Sequence, residues 1–212
     1  MLHLGIRGRL RRKHEDVFLW WWRRRIRAHR FARFGERSLV VAPRGILSPH
    51  RIEIGDGVLV HERAMFSVVE HFRGRDHQPR LRIGSGTNIG PGVWFSCVGE
   101  IEIGENNLMG HDILIADTYH EYQDPDTPII RQPMAEAEPV KIGPGCVIGP
   151  HAAILAGVTI GANTFVAANA VVTRSVPPNS VVVGNPARVI RHYDRRQGRW
   201  VDGPPQPGPA PS

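Results

Sequence analysis

The sequence predicts an all-β chain wound as a parallel coil of short strands, three to a turn, on three observations. Aliphatic residues recur every six positions: Ile142, Ile148, Ile154, Ile160, Val166 and Val172 do so without a break. The next position is Gly, Ala, Ser or Thr in thirteen of the fifteen hexads counted from Ile54, with His61 and Leu155 the exceptions. The fifth position is mostly small or β-branched, as at Val58, Thr87, Cys146 and Ala170. A period of six fits neither a helix at 3.6 nor a plain strand at 2, but it is three strand periods. A short strand and a tight corner satisfy it. The aliphatic then points inward, and the small residue tolerates the corner backbone, Gly doing so at φ > 0. Three hexads close one triangular coil, and coils stack at about 4.8 Å into a prism roughly 25 Å long.

Length and composition agree. The chain has 212 residues and 23.6 kDa, 41 % of them hydrophobic and 22 % charged, enough for a sizeable core. Two cysteines, Cys97 and Cys146, make neither a disulfide framework nor a cysteine zinc cage. No apolar run approaches the roughly 18 residues of a membrane span, and the early segment lacks a signal-peptide core.

Taken in order, residues 1–37 form a basic aromatic arm with twelve Lys/Arg, three acids and the cluster Phe18, Trp20, Trp21, Trp22, Phe31, Phe34. The arm reads as a helix packed on the coil end, as an interfacial helix touching anionic lipid, or as a phosphate-backbone binder. The remaining 175 residues are nearly neutral. Residues 38–186 form the coiled domain. Val40, Ile46 and Ile52 open it weakly, followed by the sets Ile54–Val60–Phe66, Ile83–Ile89–Phe95 and Ile103–Met109–Ile115. Residues 121–139 are polar, hold four prolines and break the period, so they read as an extruded loop. The hexads resume at 140. Residues 187–212 read as a short helix and a disordered Pro/Gly tail.

These hexads resemble the left-handed parallel β-helix acyltransferases, the hexapeptide-repeat family. The closest likeness is to the maltose/galactoside O-acetyltransferase branch. It is strongest from Pro139 to Arg191, which ends in Val171-Val172-Thr173-Arg174, two prolines and Gly184-Asn185-Pro186-Ala187-Arg188. A second likeness is Ile115-Ala116-Asp117-Thr118-Tyr119-His120 ahead of the polar loop. The resemblance implies the left hand of the coil, and the reading is completed by five to six coils, an N-terminal helical arm and a short C-terminal helix.

The resemblance implies an O-acyltransferase that moves acetyl from acetyl-CoA to a saccharide or cell-envelope glycan hydroxyl. His120 matches the family's catalytic histidine, and a neutral imidazole suits removal of a hydroxyl proton. Asp117 would orient the imidazole, bind acceptor hydroxyls or cap its own turn, and Tyr122 would meet the acceptor. Ala168 and Thr173 would line the coenzyme A groove, with Arg174, Arg188 and Arg191 toward its phosphates. Val147 stands where the family often has Trp, and Gly90 falls near an expected Asn. The resemblance also implies a homotrimer in the cytoplasm, which the arm could hold at the inner face of the membrane. No nucleic acid partner is expected. No metal is expected either, since His111 and His120 are nine residues apart with no evident third ligand. Gly84 to Gly90 looks like a dinucleotide fingerprint, but its spacing is one residue too long and no helix pattern follows. The alternative is a non-catalytic β-helix scaffold.

Overall fold

The computed structural model describes residues 30–205. It is a parallel β-helix with three flat faces. Arg33–Phe34, Ile52–Ile54, Arg80–Ile83, Glu100–Ile103, Val140–Ile142 and Thr159–Ile160 form the first face. Leu39–Val40, Leu59–Val60, Asn88–Ile89, Leu108–Met109, Val147–Ile148, Phe165–Val166 and Ser180–Val183 run up the second. Gly45–Ile46, Met65–Val68, Trp94–Cys97, Leu114–Ala116, Ala153–Ile154 and Val171–Val172 run up the third.

Position one of each hexad points inward, as the period demands. Ile54, Ile83, Ile103, Ile142 and Ile160 are in parallel register on the first face. All five are buried, as are their counterparts on the other faces. Phe66 and Phe95 fill the interior of the third face, their rings stacked at 5.3 Å. Burying each such side chain contributes about 1.5–3 kcal/mol before its ordering entropy is subtracted.

The position-two glycines have a different cause from the expected one. None of them has positive φ. A Cβ on Gly84 would come within 2.5 Å of the Gly104 carbonyl carbon, and one on Gly104 within 2.7 Å of Gly143. Stacked coils bring backbone against backbone there, and only a residue without Cβ fits. The left-handed conformation falls two residues later, at position four. Gly57, Gly86, Gly92 and Gly145 adopt it, and so do Arg63, Asn106, Asp112, His151, Asn163 and Asn169.

Three boundaries move. The β-helix begins at Arg33–Phe34, inside the stretch read as the arm, because that strand pairs with Ile52–Ile54. Phe31 is buried at the coil end, with its ring 5.2 Å from that of Phe34. The helical arm, Trp20 to Trp22 and the arm's lipid contact lie outside the described residues. The expected C-terminal helix is instead a strand, Arg188–Asp194, antiparallel to Ser180–Val183 and followed by Arg199–Asp202. The last coil leaves an open strand edge, and this hairpin supplies its partners. Residues 206–212 of the tail lie outside the described residues. Finally, a hairpin not anticipated from sequence, His71–Phe72 with Arg75–Asp76, projects between Val68 and Arg80.

The three outer surfaces differ in chemistry. The first face is charged: Arg80 pairs with Glu53 at 2.7 Å, and Arg82 with Glu100 and Glu102 at 2.9 and 3.1 Å. The second and third faces are apolar, with Leu108 54 %, Trp94 48 % and Phe165 46 % exposed.

Candidate functional site

The polar loop leaves the coil at the end of Leu114–Ala116 and returns at Val140–Ile142. Asp117 anchors its base. The side chain is fully buried, and its carboxylate accepts from the amides of Val98 at 3.0 Å and Gly99 at 2.8 Å. Gly99 leaves room for the returning loop: a Cβ there would lie 2.5 Å from that of Ala137. Burial pushes the Asp117 carboxyl above the ordinary aspartate value, against those two N–H groups. This geometry makes Asp117 the anchor of the loop base, its carboxylate turned inward rather than toward an acceptor surface. Asp117→Ala is expected to leave two buried amides without an acceptor and to cost about 1–3 kcal/mol. Urea denaturation checks this, and an unchanged midpoint would contradict the anchor.

Beyond Asp117 the loop closes on itself. Thr118 Oγ1 donates to Ala135 O at 3.0 Å, Ala135 N donates to Tyr119 O at 2.9 Å, and Glu121 N donates to Pro133 O at 2.9 Å. The buried Gln132 organises the tip by donating to the carbonyls of Asp124 and Thr127 at 2.8 and 2.7 Å.

His120 sits on this ladder, bridged antiparallel to Met134. Its imidazole is exposed and stands edge-on to Phe72 of the projecting hairpin, ring centroids 5.7 Å apart. Among the described residues, neither ring nitrogen of His120 makes a hydrogen bond. The ring is therefore oriented by an apolar contact, and its two nitrogens are open to a ligand. Tyr122 lies close by, 62 % exposed, its ring 6.2 Å from that of Tyr119.

Between the hairpin and the returning loop lies a cavity of about 550 Å³, lined by Arg75, Asp76, His77 and Met134 to Ala137. His77 Nε2 is buried there without a hydrogen-bond partner. The hairpin and His77 were missed from sequence. The available signal was a broken period, since Phe66 and Ile83 are 17 positions apart rather than a multiple of six. Gly90, near the expected Asn, is a crowded corner: a Cβ there would lie 2.4 Å from Gly110 O, so no longer side chain fits. The thiols offer no nucleophile. Cys97 and Cys146 are buried, and burial pushes both pKa values up.

The residues expected to meet coenzyme A gather at the C-terminal end of the prism. Ala168 is exposed at the corner between the second and third faces, and Thr173 and Arg174 are exposed just beyond Val171–Val172. Arg188 and Arg191 lie on the antiparallel strand that caps the second face. Arg191 is held by Asp202 at 3.0 Å, whereas Arg174 and Arg188 have no carboxylate partner among the described residues.

The comparisons with known proteins agree with this fold. The family description "bacterial transferase hexapeptide (six repeats)" matches residues 139–174. A Mycobacterium tuberculosis protein named probable acetyltransferase Rv3034c is 30 % identical over 184 residues, covering 82 % of this chain and 58 % of its own length. The galactoside O-acetyltransferase of Escherichia coli K12 is 32 % identical over 135 residues, 56 % of this chain and 66 % of that protein. This chain thus spans less than two thirds of either relative. A hexapeptide-repeat acetyltransferase of Vibrio cholerae, solved with acetyl coenzyme A, superimposes with a TM-score of 0.54. It is 27 % identical, and the match covers 78 % of this chain and 73 % of that one.

Proposed function

The chain belongs to the hexapeptide-repeat β-helix family, and on that premise we propose that it is an acyl-CoA-dependent O-acyltransferase moving acetyl to a saccharide hydroxyl. The observation that carries the reading is His120. It is an exposed imidazole with no hydrogen-bond partner among the described residues, bridged across the loop to Met134, which lines the cavity. In the reaction, one ring nitrogen of His120 removes the acceptor hydroxyl proton as the oxygen attacks the thioester carbonyl. The carbon–sulfur bond then breaks, and the imidazolium returns the proton to the departing thiolate. A general base of this kind contributes about 10²–10⁴ in rate.

The acceptor seats between the hairpin and the loop. The exposed Tyr119 and Tyr122 rings offer apolar surface to a sugar face. Arg174 and Arg188, which have no carboxylate partner among the described residues, are cations available to the donor's phosphates. The apolar second and third faces fit a closed homotrimer, in which each protomer sets one face against the other face of its neighbour. The charged first face stays in water.

The test is release of free thiol from acetyl-CoA against a panel of sugars and glycan precursors. Acceptor-dependent release is expected. No release with any acceptor, together with no binding of coenzyme A, would favour a β-helix scaffold. Arg174→Ala is expected to raise the KM for acetyl-CoA more than it lowers kcat, because phosphate binding is equal in ground and transition states. Initial-rate kinetics check this, and an unchanged KM would place the phosphates elsewhere.

A further inference from the structure

A second cluster of ligating side chains stands at a different corner from His120, between the second and third faces. His111 and Asp112 follow one another on one coil, and His151 occupies the same corner on the next. His151 N donates to His111 O at 3.0 Å, which locks the two coils in register there. His111 Nδ1 is 3.0 Å from Asp112 Oδ2, and the two imidazoles meet edge-on with centroids 4.7 Å apart. One ligating atom from each of the three residues lies within 4.8 Å of the others.

We propose that His111, Asp112 and His151 form a binding site for a divalent first-row transition cation of the zinc class, which staples two adjacent coils. The proposal is independent of the acyl-transfer reading. Zinc–ligand bonds of about 2.0–2.2 Å set neighbouring ligand atoms roughly 3.3 Å apart. The His111–Asp112 pair already stands near that separation, and the exposed His151 ring closes the rest by a change of rotamer. Two imidazoles and one carboxylate select zinc, nickel or copper over magnesium and calcium, which prefer oxygen alone. Three protein ligands leave an open position for water.

Arg63 does not block the site. Its guanidinium approaches the other carboxylate oxygen, Asp112 Oδ1, at 3.8 Å. A backbone explanation covers only part of the cluster. Asp112 and His151 have φ of 52° and 58°, a region in which Asn, Asp and His are enriched. His111 is not in that conformation, and backbone preference alone does not make its ring converge on the other two.

The experiment uses the full chain without an affinity tag, stripped of metal, and titrates it with Zn²⁺ alone by calorimetry and equilibrium dialysis. One saturable site per chain is expected, with a rise in melting temperature on loading. His151→Asn removes one imidazole at a position whose equivalent on the following coil, Asn169, already holds left-handed φ of 59°. This variant therefore keeps the fold, and it is expected to bind Zn²⁺ at least ~10²-fold more weakly and to lose the metal-dependent rise in melting temperature. His111→Ala should behave alike, and His61→Ala should match the wild type. Co²⁺-loaded wild type should show a visible d–d band that His151→Asn lacks. Absence of saturable binding would overturn the proposal. So would equal Zn²⁺ affinity in the wild type and the His111→Ala/His151→Asn double variant, which would mark adventitious binding by other histidines.

Discussion

His120→Ala is expected to lower turnover by ~10²–10⁴ while leaving the fold and coenzyme A binding nearly unchanged. The imidazole is exposed and makes no hydrogen bond within the described residues, so its removal opens no cavity and orphans no partner. Its main contact is the edge of Phe72, a residue of the projecting hairpin rather than of the core. The loss should therefore fall on kcat, with the KM for acetyl-CoA close to the wild-type value and the urea midpoint unmoved. Steady-state kinetics and a denaturation curve on the same preparation separate the two effects. Full activity in the variant would remove His120 from the mechanism. A joint loss of activity and stability would instead mean that the loop depends on the ring.

Phe95→Ala is expected to be the costliest single truncation, at about 3–5 kcal/mol. Phe95 is fully buried, stacks on Phe66 of the coil before it and stands in register with Ile115 of the coil after it. In a stacked coil each inward side chain is covered above and below by its equivalents, so a void has only the rigid backbone of adjacent turns to collapse around it. Domains of this size are commonly stable by only about 5–15 kcal/mol, so the variant should unfold at a much lower urea concentration. A cost below about 1 kcal/mol would mean that the coils relax far more than their register suggests.

The repeat was legible because its cause is local. Ile142 to Val172 mark every inward position, and the structure buries each one. His120 stood out as a candidate through its place beside the interrupted period, and Arg174 and Arg188, without carboxylate partners among the described residues, through the Pro-rich ending. The hairpin that carries Phe72 and the orphaned His77 was not legible. Between Phe66 and Ile83 the sequence shows only that the count slips, and it does not show what the extra residues touch. Arg188 to Asp194 falls in the stretch expected to be a short helix. An unpaired sheet edge, invisible to composition, made it a strand.

Asp117 shows the same division at one residue. Sequence alone placed a carboxylate three positions before the candidate base. Only the tertiary structure could turn it inward, because the amides it serves belong to Val98 and Gly99, one coil away. The glycines at position two likewise announced a corner, whereas their cause is the backbone of the next coil. His111 and His151 lie 40 positions apart, and no spacing rule joins them. Short-range chemistry, which is periodicity, size and φ preference, is written along the chain. Which residues face one another across coils depends on how many positions each turn consumes, and two insertions of irregular length reset that number. The sequence by itself therefore determined the β-helix and the candidate base. The wall of the cavity beside the loop, the buried anchor and the His–Asp–His cluster were decided by the stacking of coils.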